Sequence, residues 1–180
     1  MKCPKAPTFV SFACIAAIAQ GASSDLRSTA QAYYTKRDAL TKRYDLQGLM
    51  KLLDEFQTPD FVFTSLPGPD GKRTTSTRAE VIQHTRAKIT GLVKLRDLPK
   101  EPLNDVLHID RVVARQTTAI LFLTSSASIT MKEPDMPTHT IRVVGKYEDT
   151  WIKLNGAWKL QASKEASRVS SMDGKVIPKK

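Results

Sequence analysis

The chain has 180 residues, 41% of them hydrophobic, and a formal net charge of +10 from 28 Lys and Arg against 18 Asp and Glu. That length and apolar content suit a single domain with an ordinary core. The positive charge is dispersed and forms no basic stripe interleaved with aromatics, which excludes the usual nucleic-acid-binding pattern, and no internal repeat marks a solenoid.

Lys2 and Lys5 form a positive start, Phe9 to Ala19 is apolar except for Ser11, and Ala17-Ile18-Ala19 supplies the small-x-small pattern that a signal peptidase reads. The apolar run, about 11 residues, is short of the ~20 a spanning helix needs. Residues 1–19 are therefore expected to be a cleaved export signal, with an uncleaved membrane tether as the alternative and no transmembrane segment in the mature chain. Both cysteines, Cys3 and Cys14, lie inside it, so the mature chain would hold no disulfide, thiol nucleophile or cysteine metal site. Removing Lys2 and Lys5 leaves 26 basic against 18 acidic residues, a charge of +8. Export without disulfides suits a bacterial periplasm or a secreted protein, and the basic balance favours anionic envelopes or anionic small molecules.

Residues 20–24 read as a polar leader. From Asp25 to Tyr44, Leu26, Ala30, Tyr33, Leu40 and Tyr44 recur at helical spacing, with Arg37 in the same stripe. Asp45 is placed to cap a short second helix, ended by Pro59, and Asp60–Leu66 reads as a strand before the turn cluster Pro67–Gly71. Thr77-Arg-Ala-Glu80 has capping-box spacing, so a third helix is expected to start there and run to about Lys88 or beyond, with Ile82, Thr85, Ile89 and Leu92 inward. Residues 97–105 read as a loop, Val106–Val113 and Thr117–Met131 as strands, 133–137 as a connection, and His139–Leu154 as a strand entering a hairpin. At Asn155-Gly156 the pair suits a two-residue turn. Before it, alternation puts Tyr147, Asp149, Trp151 and Lys153 on one face; after it, Trp158, Leu160 and Ala162 oppose Lys159, Gln161 and Ser163. Residues 167–180 are polar and basic and are expected to be a flexible tail.

Helix, helix, strand, helix and then four long antiparallel strands is a segregated α+β order. Strands this long bend, and the three helices are expected in the concave face of a strongly curved, mostly antiparallel sheet of about 4–6 strands. The long first helix, the short second, Pro-Asp-Phe-Val-Phe, the Thr-Arg-Ala-Glu start and above all Tyr-Glu-Asp-Thr-Trp-Ile-Lys-Leu-Asn-Gly-Ala-Trp-Lys-Leu resemble the nuclear transport factor 2-like superfamily, in its SnoaL-like branch of small exported proteins. The likeness covers residues 25–166. It implies a cone-shaped roll with an apolar pocket at its open end and a homodimer formed through the sheet. It does not imply one activity, since the superfamily hosts isomerases, cyclases, dehydratases and binding modules. Where steroid-isomerase-like members carry a carboxylate base in the first strand, this chain has Phe63-Thr-Ser65, and a hydroxyl without an adjacent base cannot shuttle a proton between carbons.

Related folds turn the face of Asp149 and Trp151 toward the cone mouth, making a carboxylate and an aromatic wall. Ser163 and Glu165 fall on the neighbouring strand's equivalent face, so Asp149 and Glu165 are the candidate catalytic carboxyls, able to split their pKa values if they approach. Tyr33, Arg37, Tyr147, Asp149, Trp151 and Ser163 are the candidate ligand-binding residues. The plain alternatives are a core role for Trp151 and Tyr33, a salt-bridged edge for Asp149 and an Arg37 that snorkels past the core. His84, His108 and His139 lack metal-ligand spacing, so neither a metal nor a cofactor is expected. The leading reading is a module binding a small, partly apolar, possibly anionic molecule. An acid–base enzyme (cyclase-, isomerase- or hydrolase-like) and an envelope interaction domain are the alternatives.

Overall fold

A computed structural model of the chain describes residues 12–94, 104–131 and 138–177. The first helix, α1, spans Phe12–Lys42. It includes residues 20–24, expected as a polar leader. The stretch, Gln20-Gly-Ala-Ser-Ser24, holds no proline, and apart from Gly21 no strong helix breaker interrupts it, so the helix continues through. Its end is earlier than expected: Tyr44 takes a left-handed φ of 56° and closes the turn. Helix α2, Leu46–Phe56, begins as its sequence requires, with the Asp45 carboxylate accepting from the Gly48 N–H at 2.8 Å. No described helix is long and apolar enough to cross a membrane.

Strand β1 is Gln57–Pro67, longer than the expected Asp60–Leu66. After the Pro67–Gly71 turn comes a short strand the sequence did not announce, β2, Arg73–Thr77. It pairs antiparallel with β1 and leads straight into α3, Arg78–Lys94. The capping box is formed: the Thr77 N–H donates to Glu80 Oε2 at 2.7 Å, and the Glu80 N–H reaches Thr77 Oγ1 at 3.4 Å. The four long strands follow as β3 Asn104–Ala114, β4 Thr118–Met131, β5 His139–Leu154 and β6 Ala157–Met172. Residues 95–103 and 132–137, where most of the two expected loops fall, lie outside the described residues.

The sheet order is β2-β1-β6-β5-β4-β3, and it is a curved, unclosed α+β sheet with three helices. Every pairing is antiparallel except β1 with β6, which is parallel. A last strand, β7 (Lys175–Val176), pairs with β6. Thus the segment expected to be a flexible tail from residue 167 is strand as far as Met172 and turns back through Asp173-Gly174. Its polar residues are no obstacle, because an antiparallel neighbour, β5, supplies backbone partners as far as Ile141. At the other end of β5 the turn is as its residues dictate. Leu154 pairs with Ala157, and Asn155 and Gly156 have φ of 50° and 83°.

Helix α1 packs on β3 and α2, and α3 packs on β1 and β2. The core lies between helices and sheet, where Leu26, Ala30, Tyr33 and Tyr34 of α1 meet Leu121, Leu123, Trp151 and Leu160 of the strands. Bulges in β6 bend the sheet around them: Thr150 pairs with Ala162 but Trp151 with Leu160, and Lys146 with Ser167 but Tyr147 with Glu165.

Candidate functional site

Alternation along β5 turns Asp149 and Trp151 inward, 3% and 0% exposed, with Tyr147 half-buried beside them. On β6 a strict alternation would send Ser163 to the face opposite Leu160. The bulge at Gln161 inserts one residue and reverses the phase, so Trp158 and Leu160 are buried on one side of it and Glu165 on the other, with Ser163 directly across from Asp149. Helix α1 answers with Tyr33 and Tyr34, both buried, and Arg37 one turn on.

These groups surround a cavity of about 190 Å³. Tyr33, Tyr34 and Arg37 of α1, Gln57, Phe61 and Phe63 of β1, Leu123 of β4, Tyr147 and Asp149 of β5 and Ser163 of β6 all line it, with Leu53, Val81, Thr85 and Leu107 completing the wall. Among the described residues its polar centre is Asp149. The Tyr34 hydroxyl donates to Asp149 Oδ2 at 2.5 Å, and Ser163, directly across on β6, is a second side-chain hydrogen-bond partner of the carboxyl. Burial pushes the Asp149 carboxyl above the usual aspartate range, partly offset by Ser163, Tyr34 and the Arg37 charge. Burial likewise pushes Tyr33 up to about 12 and Tyr34 well above the ordinary phenol, the latter helped by Asp149, so both phenols stay protonated. Arg37 lies with its guanidinium 5.3 Å from the Tyr34 ring centre and 3.3 Å from the Asp38 carboxylate, and keeps a third of its side chain exposed. Gln57, also buried, is a side-chain hydrogen-bond partner of the Tyr33 phenol.

Of the six candidate ligand-binding residues, Tyr33, Arg37, Tyr147, Asp149 and Ser163 converge on this cavity. Trp151 does not reach it: it is fully buried behind the wall, with its ring 5.7 Å from Tyr33 and 6.3 Å from Tyr34. Glu165 is also outside the lining. Its register partner is Tyr147, and its carboxylate accepts from Arg168 Nε at 2.7 Å. Glu165 is not among the groups that shift Asp149, so the two carboxyls do not form the acid–base couple their common face suggested. The reason is the bulge at Gln161, after which Ser163 stands across from Asp149 and Glu165 across from Tyr147.

Ser65 is occupied in the β1–β2 hairpin, donating to the Leu66 carbonyl and accepting from the Thr74 N–H. His84 and His108 are exposed, and His139 pairs with Asp173 at 2.7 Å. Among the described residues no three His, Cys, Asp or Glu side chains group as a metal site.

Tyr34 follows Ala30 by four residues on the helical stripe of Leu26, which makes it readable from sequence as an alternative phenol to Tyr33. Sequence reasoning left two contributors out of the site. Gln57, at a helix–strand junction, gave no signal. Gly145 is the second. Tyr147 leans back over it so closely that a Cβ there would come within 2.8 Å of the Tyr147 hydroxyl, so the glycine permits the ring position that borders the cavity.

No family model matches the chain, and no curated protein matches it in sequence. Solved structures do. A conserved protein from Planctomyces limnophilus is 13% identical, aligned over 87% of this chain and 99% of that one, with a TM-score of 0.57. A protein from Kribbella flavida is 12% identical over 79% and 91%, with a TM-score of 0.56. A nuclear transport factor 2-like protein from Cytophaga hutchinsonii is 13% identical over 78% and 97%, with a TM-score of 0.48. At such identities the likeness is one of fold.

Proposed function

We propose that the chain is an exported, SnoaL-like module of the nuclear transport factor 2-like superfamily that binds a small, partly apolar molecule in the cavity beside Asp149. One observation carries this reading: a partly open pocket with aromatic and aliphatic walls, among them Tyr33, Phe61, Phe63 and Leu123, whose lining also includes the buried polar side chains Asp149 and Gln57. Apolar walls with a few placed polar groups are the usual make-up of a ligand site. Ligand sites commonly measure about 300–1,000 Å³, so 190 Å³ limits the occupant to a small one. For scale, an apolar cavity of about 150 Å³ takes up benzene.

Single-ring probes test it. Toluene and its polar relatives, titrated by calorimetry, should give saturable binding of one molecule per chain, lost when Leu123→Trp fills the cavity. If none of them binds, or if the filled variant binds equally well, the cavity is not a ligand site.

A buried carboxyl with a raised pKa at a cavity wall also favours the second reading, an acid–base enzyme using Asp149. It would act alone: Glu165 is held by Arg168, and Ser65 by its hairpin. A binding module tolerates Asp149→Asn with altered affinity, whereas in an enzyme turnover would collapse with binding retained.

Export rests on the Lys2/Lys5 start and Ala17-Ile18-Ala19. Protein recovered from the envelope or medium of a bacterial host should begin at Gln20, within a few residues; intact Met1 on cytosolic protein alone would sink the proposal. A homodimer through the outer sheet face, where Ile120 and Val113 are exposed, belongs to the same proposal.

A further inference from the structure

We infer that the chain docks on an anionic lipid surface through the β6–β7 hairpin and the sheet end beside it. This surface shares no lining residue with the cavity above, so the two readings stand or fall separately. Seven large hydrophobic residues are exposed among the described ones, and four of them, Val169, Met172, Val176 and Ile177, come from this hairpin. Apolar residues exposed singly need no explanation, whereas a cluster of them marks a contact surface. The strands create the cluster. β1 leaves β6 at Lys164, and β7 joins the same edge only at Ser171, because β5 holds the other edge as far as Met172. Between them lies an open groove of about 480 Å³, lined by Leu66, Pro67, Arg168, Val169, Val176 and Ile177. The Ile177 N–H donates to the Ser170 carbonyl at 2.8 Å and fixes the returning strand, on which Val176 stays 67% exposed.

Charge identifies the partner. Cross-strand register sets Arg142 beside Ser171 and Val176, Val144 beside Val169, and Lys146 beside Ser167, so cations flank the apolar row on the outer sheet face. Arg142, Lys146 and Lys175 are exposed, and among the described residues no carboxylate forms an ion pair with them. The nearby acids are engaged: Asp173 holds His139 and the Thr140 N–H, and buried Glu165 holds Arg168. The sequence adds Lys179 and Lys180 just beyond Ile177. A second copy docked patch to patch would set these cations against one another. A purely acidic partner would leave the valines in water. An anionic leaflet answers both features, since interfacial binding grows with buried apolar area and with attraction to acidic headgroups.

Hydrogen–deuterium exchange of the full chain, read on residues 169–177, tests this locally and so separately from any membrane contact of residues 1–19. The vesicles are phosphatidylcholine alone, or phosphatidylcholine mixed equally with phosphatidylglycerol. The anionic vesicles should slow exchange in that segment, the zwitterionic ones should not, and high salt should remove the effect. Val176→Asp with Ile177→Asp should abolish the protection and leave the thermal midpoint unchanged, because both side chains are exposed. Lys146→Gln with Lys175→Gln should raise the vesicle concentration needed for half-protection at least about tenfold, since each cation near an anionic leaflet strengthens binding about fivefold. The inference is overturned if anionic vesicles give no protection, or if protection survives the double Asp substitution. Equal protection by zwitterionic vesicles, or by soluble dextran sulfate, also overturns it. Protection that grows with protein concentration alone would assign the patch to a second copy instead.

Discussion

Trp151→Ala should destabilise the protein by about 3–5 kcal/mol, the range for deleting a large buried aromatic. The indole is 0% exposed, and its ring meets Tyr33, Tyr34 and Phe56 edge-on, 5.7, 6.3 and 6.5 Å away between centres. Such edge-to-face contacts add to the area buried. In a chain of this length each kcal/mol moves the thermal midpoint by about 2–4 °C. Thermal unfolding followed by circular dichroism should therefore show a midpoint lower by roughly 10 °C. A loss under about 1 kcal/mol would mean that Trp151 is not the centre of this core. Trp151→Phe, which keeps a ring there, should lose clearly less.

Tyr34→Phe should cost about 2–3 kcal/mol at neutral pH, because it strips a hydroxyl donor from a buried carboxylate and leaves it Ser163 as a side-chain partner. The hydroxyl sits 2.5 Å from Asp149 Oδ2 and holds the charged form. The sign of the pH dependence follows from the direction of the Asp149 shift. Burial raises the carboxyl in the folded protein, and Ser163, Tyr34 and Arg37 pull it part of the way back. A folded pKa above the unfolded one contributes stability that is fully present below the unfolded pKa and is lost as pH rises through the folded pKa. Losing the Tyr34 hydroxyl raises the folded pKa further, so the cost of Tyr34→Phe should be largest at neutral pH and shrink in acid. Asp149→Asn cannot ionise. It should match the parent in acid and equal or exceed its stability at pH 7, the pattern of a group retained for a ligand and not for the fold. Urea unfolding at pH 4 and pH 7 reads both variants. A Tyr34→Phe cost independent of pH, or an Asp149→Asn protein less stable than the parent at pH 7, contradicts this account of the site.

How much of this was legible depended on how local the cause was. Asn155-Gly156 specified its turn because both residues accept positive φ, and the capping box of α3 closed because Thr77 and Glu80 need only each other. Asp149 and Trp151 faced inward together because they are two residues apart in an uninterrupted strand. The short strand β2 was missed because its Arg-Thr-Thr-Ser-Thr run has no apolar alternation and becomes a strand only against β1. The ordered end of β6 was missed for a similar reason, since its polar residues are held by backbone pairing with β5 and not by a core. Glu165 was assigned to the wrong company because a bulge leaves no trace in composition.

The sequence by itself determined the segregated α+β order, the hairpin, the caps and the inward phase of β5, all consequences of contacts within a few residues. Only the tertiary structure decided the parallel pairing of β1 with β6, the phase reversal at Gln161 and the closing of Tyr34, Gln57 and Asp149 around one cavity. Those depend on partners up to 115 residues apart in the chain, as Tyr34 is from Asp149. Registers between distant strands are selected by the packing of the whole core, so neither periodicity nor turn chemistry along one segment carries them.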